Sequence, residues 1–128
     1  MGGKRILVVD DSPQIRDGLE ELLSGAGFEV VPASDGVEGL DAAKVNSFDL
    51  IIADVNMPRL NGLDMLEEIS KVEMNADTPT FVLTTESLKK FSLRFRALGA
   101  STWIVKPYDP NLLLHSIDLI FARYADRH

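Results

Sequence analysis

Cysteine is absent from the 128-residue chain, which excludes a disulfide framework and any thiolate metal site. A basic excess is absent too. The 20 acidic side chains outnumber the 13 basic ones, giving a formal charge of −7, and that balance opposes binding of a nucleic-acid backbone by the domain as a whole. No apolar run approaches the length of a membrane span, so no membrane insertion is expected. There is no internal repeat, no low-complexity tract and no linker. Arg5 enters a strand at once, which leaves no signal peptide, and Met1-Gly2-Gly3-Lys4-Arg5-Ile6 carries Ile6 where a myristoylation signal needs Ser or Thr. The expectation is a single cytoplasmic domain with one core.

What is present is a regular alternation. Arg5-Ile6-Leu7-Val8-Val9 reads as a first strand, ending in Asp10-Asp11-Ser12-Pro13. Ser12 can cap a helix and Pro13 suits its first position. That helix carries Ile15, Leu19, Leu22 and Leu23 on one face and ends at Gly25 or Gly27. Phe28 to Ala33 is a shorter strand, with Pro32 pointing to the sheet edge. Ser34-Asp35-Gly36 opens a second helix through Val37, Leu40 and Val45.

The stretch Phe48-Asp49-Leu50-Ile51-Ile52-Ala53-Asp54-Val55-Asn56-Met57-Pro58 holds an apolar run that predicts a third strand buried on both faces, with Asp54 where that strand leaves the sheet. Leu60-Asn61-Gly62 is a turn, followed by a helix with Leu63, Leu66, Ile69 and Val72 at helical spacing. Asn75 to Pro79 reads as a polar loop. Thr80 to Thr84 is the fourth strand. A helix with Leu88, Phe91, Phe95 and Leu98 inward stops at Gly99. Thr102 to Val105 is the fifth strand, ending at Lys106-Pro107. Asp109-Pro110 opens a last helix with Leu113, Ile117, Phe121 and Tyr124 as its stripe. This pattern calls for a parallel sheet covered on both faces, with its site at the carboxyl ends of the strands. The strand order 2-1-3-4-5 of a flavodoxin-like, doubly wound α/β fold sets the first and third strands side by side.

Every strand except the edge one then ends in a functional group: Asp10 and Asp11, Asp54, Thr84, and Lys106. Three carboxylates brought together raise one another's pKa. A hard divalent cation with oxygen ligands relieves this, as does an ammonium group. Magnesium suits the first role and Lys106 the second. Such a site is suited to phosphoryl transfer. Ionised Asp54 can attack phosphorus directly, and Lys106 and the Thr84 hydroxyl can meet the phosphoryl oxygens.

The series Asp10-Asp11, Asp54, Thr84, Lys106-Pro107 resembles the receiver domain of bacterial response regulators, over residues 1–128. The resemblance implies that Asp54 is the phosphoacceptor. Asp10 and Asp11 become the acid pair that, with Asp54 and the Asn56 backbone carbonyl, holds magnesium (or manganese). Thr84 becomes the switch hydroxyl and Lys106 the phosphoryl contact, and the Lys106–Pro107 bond is expected cis. Trp103 stands where the family has an aromatic switch residue. The implied function is a phosphorylatable switch in two-component signalling, with no enzymatic role beyond its own phosphorylation and slow dephosphorylation. Its implied partners are a histidine kinase or phosphotransfer protein, and a target that docks on the face of helix 4, strand 5 and helix 5. Asn56, Thr84-Thr85-Glu86 and Trp103 to Pro107 look like the single-domain chemotaxis regulators. Asn56, Thr85 and Glu86 are placed to modulate rates, Thr85 standing where the family usually has Ala or Ser. The chain ends with helix 5, so no output domain is expected; the alternative is a receiver cut from a longer regulator.

Taken singly, each residue has a plainer explanation. Asp10, Asp11 and Asp54 could be strand-end or turn acids, Thr84 an ordinary strand residue, and Trp103 simple packing. His115 and His128 read as solvated. Lys89, Lys90, Arg94 and Arg96 form a basic outer face on helix 4, either merely solvated or a dock for an acidic segment. Leu112, Leu114 and Leu119 lie beyond the core stripe of helix 5 and suggest a partner or dimer surface. Two further functions compete. A haloacid-dehalogenase-like aspartyl-phosphate phosphatase would need an acid where Asn56 stands. A flavin or nucleotide module would need a glycine-rich loop where Asp10-Asp11-Ser12-Pro13 stands.

Overall fold

The computed structural model describes residues 3–99 and 102–127, the last three of these by backbone alone; Met1, Gly2 and His128 lie outside the described residues. In chain order the elements are β1 (Arg5–Val9), α1 (Pro13–Gly25), β2 (Glu29–Ala33), α2 (Gly36–Val45), β3 (Leu50–Ala53), α3 (Gly62–Ile69), a 3-10 turn (Glu73–Asn75), β4 (Thr80–Thr84), α4 (Leu88–Leu98), β5 (Thr102–Val105) and α5 (Pro110–Arg127). The strands pair in parallel in the order β2-β1-β3-β4-β5. No helix among the described residues is long and apolar enough to cross a membrane.

The strands are apolar throughout because both faces of the sheet are covered. Leu7, Val9, Ile51, Ala53 and Val82 point to the side of α2 and α3. Their neighbours Ile6, Val8, Leu50, Ile52, Phe81 and Leu83 point the other way, onto Leu19 and Leu23 of α1 and Leu113, Ile117 and Ile120 of α5. Each such aliphatic side chain taken from water contributes roughly 1.5–3 kcal/mol. Pro32 sits in β2, at the sheet edge, where its missing N–H costs no ladder bond. Helix starts follow the caps: Ser12, Asp35, Asn61 and Ser87 each accept a backbone N–H of the first turn.

Several expectations need correction. The buried face of α2 is Gly36, Gly39 and Ala43, whereas Val45 is 73% exposed and Val37 and Leu40 are half-buried. The helix lies so close to the sheet that a Cβ on Gly39 would run into the Val9 side chain and the Met65 sulfur. The polar loop after α3 contains a buried Asn75. Its Nδ2 donates to the carbonyls of Ala43 (2.6 Å) and Asn46 (2.7 Å), and its Oδ1 accepts from the Phe48 N–H (2.9 Å) and the Thr78 hydroxyl (3.1 Å). Arg94 does not belong to a solvated outer face. It turns to α3, where it pairs with Asp64 and stands 3.8 Å from Glu67.

No side chain of α4 is fully buried. Leu88 is exposed, while Phe91 and Phe95 lean on Trp103 with ring centroids 5.8 and 5.4 Å away. On α5, Leu112 and Leu119 are exposed, but Leu114 packs against the core.

Candidate functional site

Parallel register brings the strand ends to one rim. Val9 pairs with Ala53, so the next residues, Asp10 and Asp54, leave adjacent strands at the same level. Thr84 pairs with Val105, so Lys106 begins one residue beyond it, and the Lys106 N–H donates to the Thr84 carbonyl at 2.8 Å. The loop after β3 is held close behind Asp54: a Cβ on Gly62 would overlap the Asp54 carbonyl oxygen. Arg59 in that loop adopts a left-handed φ of 68° and sets its guanidinium on Asp35, the cap of α2, at 2.8 Å. The Lys106–Pro107 bond is cis.

The chemistry is concentrated in three carboxylates and one ammonium. Asp10 is 2% and Asp54 7% exposed, while Asp11 is open to solvent. One oxygen from each of the three lies within 4.8 Å of the others, which among the described residues is the one such acidic group. Lys106 Nζ donates to Asp10 Oδ2 at 2.8 Å and to Asp54 Oδ2 at 3.0 Å. The other oxygens of these two acids accept backbone N–H groups, Asp10 from Ser12 (2.9 Å) and Asp54 from Val55 (2.7 Å). Arg16 donates to the Asp10 carbonyl at 2.7 Å. These supports were not evident beforehand; for Ser12 the only signal was its place as a helix cap directly after the acid pair.

Burial raises the Asp10 pKa above the ordinary value of 3.8, and the hydrogen bonds from Lys106 and Ser12 offset that only in part. Burial alone would pull the Lys106 ammonium down, but hydrogen bonds and attraction from Asp10 and Asp54 outweigh it and hold Lys106 above an ordinary lysine. A carboxyl whose pKa is raised by folding favours the fold below its unfolded pKa, and this advantage is lost as pH rises through the raised value. In chelator at neutral pH, Asp10→Asn should therefore melt at a higher temperature than the parent. The gap should close as pH falls below 3.8 in paired thermal melts. A parent that melts higher than the variant at neutral pH would show that Asp10 is held ionised without strain.

Thr84 is fully buried at the rim, its Oγ1 accepting the Glu86 N–H at 3.3 Å. Asn56 is exposed, with its Nδ2 donating to Glu86 Oε1 at 2.9 Å. Thr85 is exposed and Glu86 half-buried at the pocket mouth. Trp103 is half-buried, its indole N–H donating to the Glu86 carbonyl at 3.0 Å. His115 is exposed on α5.

The donor set is hard: three carboxylate oxygens converge, and carboxylates are the ligands that a small dication such as magnesium takes while keeping waters. The residues therefore fit that ion. Lys106 would balance the remaining charge.

A family model described as the response regulator receiver domain matches residues 6–118. Among curated proteins, the transcriptional regulatory protein PdtaR of Mycobacterium tuberculosis is 36% identical over 124 residues, which is 96% of this chain and 59% of that protein. The chain thus spans well under two thirds of that relative's length. Among solved structures, the Vibrio cholerae chemotaxis protein CheY4 matches with a TM-score of 0.87 at 38% identity, covering 91% of this chain and 98% of that one. The receiver domain of a Pseudomonas aeruginosa sensor histidine kinase, solved with a magnesium ion coordinated in its active-site cleft, matches with a TM-score of 0.81 at 26% identity, covering 89% and 93%.

Proposed function

The chain belongs to the response regulator receiver domain family, and on that premise we propose that it is a two-component switch whose phosphoacceptor is Asp54. Receiver domains are switches rather than dedicated enzymes. The observation that carries the assignment is Lys106 Nζ set between Asp10 and Asp54, with Asp11 beside them. Asp54 Oδ2 shares that ammonium with Asp10 Oδ2, so a phosphoryl group built on Asp54 meets Lys106 at once.

In the transfer, an Asp54 oxygen forms a bond to phosphorus while the bond from phosphorus to the donor breaks. The donor leaves with that electron pair, as imidazole from a phosphohistidine or as carboxylate from an acyl phosphate. Asp10, Asp11, Asp54 and the Asn56 carbonyl would hold magnesium, which when bound would neutralise charge on the phosphoryl oxygens. Lys106 keeps a positive charge at the same oxygens, because its raised pKa leaves it protonated at neutral pH. The Thr84 hydroxyl exchanges its local contact with the Glu86 N–H for a phosphoryl oxygen, and Trp103, bonded to the Glu86 carbonyl, carries the change to α4 and β5. The phosphodonor is a histidine kinase or phosphotransfer protein. The target engages the α4-β5-α5 face, where Leu112 and Leu119 are exposed.

We place the chain with the chemotaxis-type regulators, as one receiver over residues 1–128. The facing pair Asn56 and Glu86 and the near-complete overlap with CheY4 support this. The alternative is a receiver cut from a longer regulator; the chain spans 59% of PdtaR. The phosphatase alternative is not favoured: Asn56 is an amide engaged with Glu86, with no proton to supply as a general acid. Adding beryllofluoride with magnesium should change Trp103 fluorescence, and chelator should abolish the change. An unresponsive wild type would refute the proposal.

A further inference from the structure

Glu86 touches both the mouth of the aspartate pocket and the outer surface of α4. Its Oε1 accepts from Asn56 Nδ2 at 2.9 Å, two residues beyond Asp54. Its backbone N–H reaches Thr84 Oγ1 at 3.3 Å. Its other carboxylate oxygen faces Lys90 Nζ at 3.9 Å, one helical turn on, and the Lys90 side chain is 67% exposed. Lys90 also lies 5.3 Å over the ring of Phe91, which itself stacks on Trp103.

We infer that Lys90 is a positioning residue for phosphoryl uptake, acting through Glu86. This rests on Asp54 being the phosphoacceptor. The argument is electrostatic. An incoming phosphodonor is an anion, and it must pass a mouth that already holds three aspartates and the Glu86 carboxylate. Asn56 binds that carboxylate without neutralising it. Lys90 supplies the countercharge and holds the side chain against α4, clear of the donor's approach. Without Lys90, the Glu86 carboxylate keeps only its bond from Asn56 and its uncompensated charge repels the donor. An exposed ion pair is worth only a fraction of a kcal/mol to stability. A charge at the entrance of a cleft nonetheless acts on the rate at which anions enter, and that action weakens with salt.

The test is the rate of phosphorylation by acetyl phosphate in magnesium, followed by Trp103 fluorescence. In that reaction an Asp54 oxygen bonds to phosphorus, the bond from phosphorus to the acyl oxygen breaks, and acetate departs with the pair. Lys90→Ala should slow uptake about two- to fivefold at low salt, with the gap narrowing as salt rises. Lys90→Arg should restore the parental rate. Lys89→Ala removes the same charge from the neighbouring exposed position and should change the rate far less. In a Glu86→Gln background, Lys90→Ala should add nothing. Equal effects of the two alanine variants, or an undiminished Lys90 effect in the Glu86→Gln background, would overturn the inference and leave Asp54 as the acceptor. Failure of the wild type to take up any phosphoryl group removes the underlying assignment instead, and the role of Lys90 with it.

Discussion

Asp54→Asn is expected to lose phosphoryl uptake by at least about a hundredfold, from acetyl phosphate and from a kinase alike. The amide matches the carboxylate in size, so the packing behind it, where Gly62 leaves no space beyond the Asp54 carbonyl oxygen, is undisturbed. The chemistry is not preserved. An amide has no anionic oxygen to attack phosphorus, and it has one acceptor end where the carboxylate has two. Asp54 uses one oxygen for the Val55 N–H and the other for Lys106. An asparagine oxygen can serve one of these and must turn its NH2 toward the other. Intact-mass measurement after incubation with donor reads the result, and an unchanged melting temperature excludes unfolding as its cause. Uptake that persists at the parental rate would move the nucleophile to Asp10 or Asp11 and undo the assignment.

The largest effect on stability is expected away from this site. Asn75→Ala should cost about 3 kcal/mol, which for a domain of this size lowers the melting temperature by roughly 10 °C. Asn75 ties the end of α2, the entry to β3 and the approach to β4 through one buried amide. Alanine strands the Phe48 N–H and the Ala43 carbonyl without their partner, and such a buried orphan costs more than the bond itself was worth. Asn75→Asp separates the two halves of the effect, since it keeps an acceptor for Phe48 but offers no donor to either carbonyl. It should also fall well below the parent in chemical denaturation. A variant within about 0.5 kcal/mol of the parent would show that the segment relaxes around the loss.

The strands were legible because a doubly covered parallel sheet leaves no polar alternation to confuse. The order 2-1-3-4-5 is the doubly wound choice that sets the first and third strands side by side, and the rim residues follow from it. Asp10, Asp54, Thr84 and Lys106 could be placed together because each ends an apolar run in a sheet whose strands all point one way. The helices are less legible, since Val37, Leu40 and Val45 mark the course of α2 without marking its buried face. In α2 that face is made of small residues, because close approach to the sheet excludes anything larger. The role of Asn75 is hidden for a related reason: its polarity reads as loop, although an amide can serve four backbone and hydroxyl partners inside a protein. Arg94 was given to the outer surface because its acidic partners lie on another helix, thirty residues back in the case of Asp64.

The absence of any fully buried side chain on α4 has an energetic consequence. The helix packs only the partly buried Phe91, Phe95 and Leu98 on the core, with both rings against the Trp103 indole, and is moored to α3 by the Arg94 guanidinium. Aromatic contacts and partly exposed ion pairs of this kind amount to a few kcal/mol in all. A few charge-assisted hydrogen bonds at the ends of β4 and β5 release energy on the same scale. On the proposed function, a covalent change on a single Asp54 oxygen would be enough to shift these eleven residues, whereas the more deeply seated α5 would stay in place.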